Sequence, residues 1–218
     1  MKILVVEDDD SVAAALRAVL ERHGHSVTRA SRGDDALRRH RDADTVLLDL
    51  GLADGDGFDV LQALRQISTV PVVIVSARGD ERSVVRGLHL GADDFLVKPI
   101  RMSELLARLE VVTRRRRPTG PAEGARFGDV EVDLSTRRVE VDGAAVALTT
   151  KEFDVLAVLA RRPGEAVSKQ LLLDEVWGDT SQSTARSLDV HLTQLRSKLG
   201  RPGLIETIRG YGYRIGAG

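Results

Sequence analysis

Four short apolar runs, each closed by a polar or charged residue, constrain this 218-residue chain more than any other feature. Ile3–Val6 leads into Glu7 and Asp8, Thr45–Leu48 into Asp49, Val70–Val75 into Ser76, and Phe95–Val97 into Lys98-Pro99. Continuous apolar runs of this length are the mark of strands covered on both faces. Ser26–Ala30 is a weaker fifth strand, expected at an edge. Helical spacing fills the gaps. Val12, Leu16, Val19 and Leu20 share one face, with Gly24 as a stop; Leu105, Leu109 and Val112 share another, with Ser103 as the expected N-cap. Strands alternating with helices predict an α/β fold, a doubly wound five-stranded parallel sheet of flavodoxin-like order.

Parallel topology then gathers chemistry. Strand C-terminal ends collect on one edge, and ligands bind where the strand order reverses. Glu7, Asp8 and Asp49 therefore converge from the first and third strands. Carboxylates at contact distance are costly unless a cation joins them, and hard oxygen ligands suit Mg²⁺, which keeps phosphate company. Ser76 and Lys98 reach the same edge with a hydroxyl and an ammonium. Together these residues predict a phosphoryl-transfer site with Asp49 as the nucleophile, Lys98 neutralising charge and Ser76 donating to a phosphate oxygen. Asp9 and Asp10 read instead as helix caps.

The second half of the chain changes style. Val130, Val132 and Leu134 alternate, as do Val139 and Val141, and Asp142-Gly143 marks a tight turn. Helices are expected over 150–161, 168–177 and 184–199, followed by a hairpin around Arg209-Gly210-Tyr211-Gly212. A small sheet, three helices and a closing hairpin make a winged-helix layout of α+β class. Arg114–Arg117, Pro118, Gly120, Pro121 and Gly124 read as a linker. The predicted limits are 1–116, a linker over 117–124, and 125–218.

Bulk charge discriminates poorly between function classes. Residues 1–113 carry net charge −4, 114–125 carry +3, and 126–218 carry zero. Nucleic-acid binding thus rests on where arginines sit and not on overall basicity. Leu188, Leu192, Leu195 and Leu199 form a stripe that predicts an inward face. Arg186, Val190, Thr193 and Ser197 then point outward, with Gln194 at the flank, a set able to lie in the major groove of double-stranded DNA. No 18-residue apolar run predicts a membrane span, the N-terminus is too acidic for a signal-peptide core, and cysteine is absent, in keeping with a cytoplasmic protein. Gly210-Tyr211-Gly212 is not a nucleotide loop, because no helix follows it.

Glu7-Asp8-Asp9, Asp49-Leu50, Ser76-Ala77 and Lys98-Pro99, at these spacings, resemble the receiver domain of bacterial response regulators. Leu188–Arg196 and Ile208–Arg214 resemble the winged helix of the OmpR/PhoB subfamily. The resemblance implies a sensor histidine kinase that phosphorylates Asp49, and Mg²⁺ bound by Asp8, Asp49 and the Gly51 carbonyl, with Glu7 acting through water. It implies a cis Lys98-Pro99 bond and a Ser76/Phe95 switch pair. It implies a phosphorylation-driven homodimer through Val85, Leu88, Asp93, Asp94, Glu104, Ala107, Arg108 and Arg115, with Asp93 and Asp94 pairing Arg108 and Arg115 across a twofold axis. It implies DNA contacts from Trp177, His191, Arg196 and Arg209, with Trp177 reading equally well as a core residue, His191, Arg196 and Arg186 on phosphates and Arg209 in a minor groove, and an RNA polymerase contact at 178–183. Three departures stand out. Ala53 replaces a usual proline, which should leave its loop less constrained. Val84 removes the usual basic partner of Glu104, a part open to Arg82 or Arg86. Phe95 replaces a tyrosine.

Two rival functions are weighed. A haloacid-dehalogenase-like phosphatase needs an acid two residues after the nucleophile, where this chain has Gly51, so no enzyme turnover is expected beyond the receiver's own phosphoryl transfer and dephosphorylation. An atypical regulator that binds DNA without needing phosphorylation is the alternative; an altered acidic pocket would signal it, and this pocket keeps its full residue set.

Overall fold

The structure is a computed structural model that describes residues 1–114, 124–178 and 182–216, the side chains of 110–114 and 182–184 excepted. The chain divides into two compact units, Met1–Arg114 and Arg115–Gly218. Arg115, most of the predicted linker and residues 179–181 of the 178–183 loop lie outside the described residues.

The first unit contains β1 (Lys2–Val6), α1 (Asp10–Arg22), β2 (Ser26–Ala30), α2 (Gly33–Arg39), β3 (Thr45–Leu48), α3 (Gly57–Ile67), β4 (Val72–Ser76), α4 (Glu81–His89), β5 (Asp94–Val97) and α5 (Met102–Arg114). The sheet order is β2-β1-β3-β4-β5, and every pairing is parallel. Side-chain alternation explains why the apolar runs are unbroken. Leu4, Val6, Val46, Leu48, Val72 and Ile74 feed a core under α2 and α3. Their neighbours Ile3, Val5, Leu47, Val73 and Val75 feed a second core under α1 and α5, with Leu16, Leu20, Leu105 and Leu109. Each strand must be apolar at every position because each face is covered. The weaker run, β2, is an edge strand, as is β5. Helix α5 begins at Met102, so Ser103 sits inside the first turn and does not cap it.

The second unit opens with an antiparallel sheet of β6 (Gly124–Phe127), β7 (Val130–Asp133), β8 (Arg138–Val141) and β9 (Ala144–Ala145). Asp142 and Gly143 both have positive φ, as the tight turn between β8 and β9 requires. Helices α6 (Thr150–Ala160), α7 (Lys169–Trp177) and α8 (Gln182–Leu199) follow, then a hairpin of β11 (Ile205–Ile208) and β12 (Gly212–Ile215) that pairs with β10 (Val167–Ser168). Thr149 and Glu152 close a reciprocal capping box on α6. The Leu188, Leu192, Leu195 and Leu199 stripe is fully buried against α6, α7 and the hairpin. Gly212 permits β12 to lie against β10, because a Cβ there would stand 2.0 Å from the Val167 carbonyl. The layout is a winged helix.

Candidate functional site

The C-terminal edge of the parallel sheet builds the first site. Glu7 follows β1, Asp49 follows β3, Ser76 ends β4, and Lys98 follows β5. Carboxylate oxygens of Glu7, Asp8 and Asp49 lie within 4.8 Å of one another. Lys98 Nζ donates to Asp49 Oδ2 at 2.6 Å and to Glu7 Oε2 at 2.8 Å, tying the outer strand to the two central ones. The Gly51 amide donates to Asp49 Oδ1 at 3.1 Å. Gly57 lets α3 start directly behind the carboxylate: a Cβ there would sit 2.3 Å from the Asp49 carbonyl.

Electrostatics split the carboxylates. Burial pushes the Glu7 carboxyl above its ordinary value, and the Lys98 ammonium only partly offsets this. Burial works in the same direction on Asp49, but the Lys98 ammonium and the Gly51 and Leu50 amides outweigh it and hold that carboxyl low. Burial opposes the charge on Lys98, yet Asp49 and Glu7 raise its pKa. These contacts favour the charged form of Asp49, with the Lys98 ammonium directly beside it. Three convergent carboxylates offer an all-oxygen donor set, which fits a hard divalent cation such as Mg²⁺.

The surrounding loops are fixed. Lys98-Pro99 is cis. Asp9, not Asp10, caps α1, accepting from Ser11 and Val12 at 2.8 and 2.9 Å. The loop carrying Ala53 is tied at several points. Gly51–Leu52 pairs with Gly55–Asp56, Asp54 accepts from the Gly33 amide, and Asp56 accepts from Arg78. Phe95 is buried beside Gly87 on α4, where a Cβ would come within 3.1 Å of the ring. Ser76 is buried, and its Oγ accepts from the Arg78 amide at 3.3 Å.

The predicted dimer face is corrected in several places. Asp93 is fully buried, where it accepts from Arg65 and from the Val72 amide, both at 2.8 Å. Asp94 and Arg108 are buried together and pair within the chain at 2.6 Å. Glu104 pairs with the same Arg108 at 2.7 Å within the chain, and the Arg86 guanidinium lies over the Phe58 ring at 4.3 Å. Leu88 is core. Val85 is half-buried and Ala107 exposed, leaving a smaller apolar patch than expected.

The second unit presents α8 and the hairpin. Arg186, Thr193 and Ser197 are exposed, and Val190 and Gln194 are half-buried, on the face opposite the leucine stripe. Asp189 organises this surface, accepting from Lys169 Nζ at 2.9 Å and from the Tyr213 hydroxyl at 2.9 Å. One expected DNA contact, His191, is a core residue, and Trp177 takes its core reading. Trp177 and His191 are each about 1% exposed and stack at 5.8 Å between ring centroids. Arg196 is a bracket: Nε and Nη2 donate to the Ile205 carbonyl at 3.0 and 2.8 Å, and Nη2 also donates to Thr207 Oγ1. Arg209 is exposed at the hairpin tip beside Tyr211, which is 53% exposed and is not among the expected DNA contacts.

Comparison with known proteins agrees with both halves. Residues 3–110 match the family described as response regulator receiver domain, and residues 143–215 match transcriptional regulatory protein, C terminal. The DNA-binding response regulator MtrA of Mycolicibacterium smegmatis is 40% identical, over 99% of this chain and 96% of that protein. The transcriptional regulatory protein AfsQ1 of Streptomyces coelicolor is 38% identical, over 98% and 97%. Among solved structures, a RitR mutant aligns with TM-score 0.79 at 26% identity, covering 100% of this chain and 99% of the other. The Thermotoga maritima response regulator DrrB, an OmpR/PhoB homologue, aligns with TM-score 0.53 at 28% identity, covering 99% and 98%.

Proposed function

This chain belongs to the OmpR/PhoB family of two-component response regulators, and from that membership and the acidic pocket we propose that it is a DNA-binding transcription regulator switched by phosphorylation of Asp49. The observation that carries the reading is the Lys98 bridge between Asp49 and Glu7, which joins three strand ends into one acidic pocket. The receiver spans 1–116, the linker 117–124, and the DNA-binding domain 125–218.

A sensor histidine kinase supplies the phosphoryl group. An Asp49 carboxylate oxygen attacks phosphorus, the bond to the donor nitrogen breaks, and an acyl phosphate remains on Asp49. Asp8, Asp49 and the Gly51 carbonyl would hold Mg²⁺, with Glu7 acting through water, and the ion would supply charge neutralisation for phosphoryl transfer. Lys98 turns from the Asp49 carboxylate to the new phosphate oxygens, and the Ser76 hydroxyl donates to one of them, drawing on the Phe95 side of the sheet. The receiver acts on its own phosphoryl group alone.

Phosphorylation promotes a homodimer through Val85, Ala107 and the neighbouring faces of α4 and α5. In the DNA-binding domain α8 enters the major groove with Arg186, Val190, Thr193 and Gln194, and Arg209 reaches a minor groove from the hairpin tip. The loop at 178–183 meets RNA polymerase. The protein works in the cytoplasm; among the described residues no helix is long and apolar enough to cross a membrane.

Intact-mass measurement after incubation with a small-molecule phosphodonor and Mg²⁺ tests the assignment. One phosphoryl group is expected on the parent and none on Asp49→Asn. An equal adduct on the variant defeats it.

A further inference from the structure

Arg29, on the edge strand β2, grips the turn that carries two of the three carboxylates. Its Nε donates to the Glu7 carbonyl at 3.0 Å and its Nη2 to the Asp8 carbonyl at 2.8 Å. Its Nη1 donates to the Asp10 carboxylate at 2.6 Å. The parallel register seats Arg29 opposite Val5, two residues short of Glu7, so the side chain lies along the end of β1.

The geometry has a specific consequence. A guanidinium is planar and presents its donors in a rigid fork. Binding two successive carbonyls fixes both peptide planes, and with them the directions in which the Glu7 and Asp8 side chains leave the backbone. The contact to Asp10 adds little, since that carboxylate is 92% exposed. The carbonyl contacts oppose a real force: Glu7, Asp8 and Asp49 repel one another, and the Lys98 ammonium bonds to Glu7 and Asp49. A turn left to itself would relieve that repulsion by swinging Asp8 outward.

We propose that Arg29 is a positioning residue for the divalent-cation site, holding the Glu7-Asp8 turn so that the three carboxylates stay convergent. The inference rests on the reading of Glu7, Asp8 and Asp49 as a Mg²⁺ site. Arg29 itself touches neither cation nor phosphoryl group.

The sign of the effect separates positioning from simple electrostatics. Arg29 is a cation close to a cation site, so on charge alone its removal should tighten Mg²⁺ binding. If it positions the ligands, removal should weaken binding despite the lost repulsion. Titration calorimetry of the full chain with MgCl₂ reads this directly. Arg29→Gln should bind Mg²⁺ roughly ten-fold more weakly, the usual scale for groups that orient metal ligands. Arg29→Lys keeps the charge but loses the fork and should also weaken. Asp10→Asn removes the exposed contact alone and should bind as the parent does. Amide hydrogen exchange of metal-free Arg29→Gln should be faster over residues 8–12 and unchanged over α3. Arg29→Gln binding as tightly as the parent, or more tightly, overturns the inference while leaving the site intact. A parent that binds Mg²⁺ no better than Asp8→Asn overturns the site reading, and the inference with it.

Discussion

Lys98 and Asp49 stand 2.6 Å apart, ammonium to carboxylate, and the same ammonium reaches Glu7 at 2.8 Å. One lysine thus offsets part of the negative charge of the pocket. Glu7 is 4% and Asp49 11% exposed in their side chains, so removal of the ammonium leaves two close carboxylates with little water.

Lys98→Met should therefore destabilise the metal-free protein. Removing one partner of a buried pair costs about 3–5 kcal/mol, and the 22% exposure of Lys98 should bring the loss toward the lower end of that range. Mg²⁺ should restore most of the lost stability, because a cation again offsets the carboxylate charge. Thermal unfolding with and without Mg²⁺ checks both parts. A variant that unfolds as the parent does without metal would show that the bridge contributes nothing.

Asp94 and Arg108 are 5% and 4% exposed in their side chains and pair within the chain, so Arg108→Ala should act first on the fold. It strands Asp94 in the interior, again roughly a 3–5 kcal/mol change. Ala107→Glu, at the exposed patch, should leave unfolding nearly unchanged and weaken the dimer. Urea titration of each variant, paired with sedimentation of its phosphorylated form, distinguishes the two. An Arg108→Ala protein as stable as the parent would return Arg108 to the interface.

The sequence pattern carried the architecture further than it carried individual contacts. Apolar runs specified four strands because burial on both faces leaves no freedom at any position, and strand ends alone brought Glu7, Asp8 and Asp49 together. Asp93 and Asp94 misled because they are charged; their partners, Arg65 and Arg108, come from helices packed on the sheet, a nonlocal fact that spacing does not record. His191 was legible and misread. It lies three residues after Leu188 and four before Leu195, inside the buried stripe, where Trp177 stacks on it. Arg196 lies at the stripe's edge, and its role depends on β11, which arrives nine residues later.

Tyr213 gives a clean titration. Burial, then the hydrogen bond and charge of Asp189, push its phenol up to about 12 from an ordinary value of 10.0. A pKa raised on folding stabilises fully below pH 10, and the contribution is lost as pH rises through 12. The chain has two tyrosines, so a Tyr211→Phe background isolates Tyr213. In that background, Asp189→Asn should move the phenolate absorbance step to lower pH. An unmoved step would mean that Asp189 does not hold the hydroxyl.

The DNA surface yields a three-way separation. Gln194 sits on the outer side of a helix anchored by Leu188, Leu192 and Leu195, so Gln194→Ala should relax preference at one base position, worth about 1–3 kcal/mol. Arg209 stands exposed at the hairpin tip, and Arg209→Ala should weaken binding and lower the salt slope by about one, the signature of a lost charge contact. Arg196 behaves differently from both. Its guanidinium holds the Ile205 carbonyl and Thr207, fastening β11 to α8. Arg196→Ala should misplace the hairpin and weaken all sequences alike, with the salt slope unchanged. Titrations of single-base operator variants at several salt concentrations resolve the three patterns. A slope that falls by one in Arg196→Ala would mean that its guanidinium leaves the hairpin strand to meet a phosphate when DNA binds.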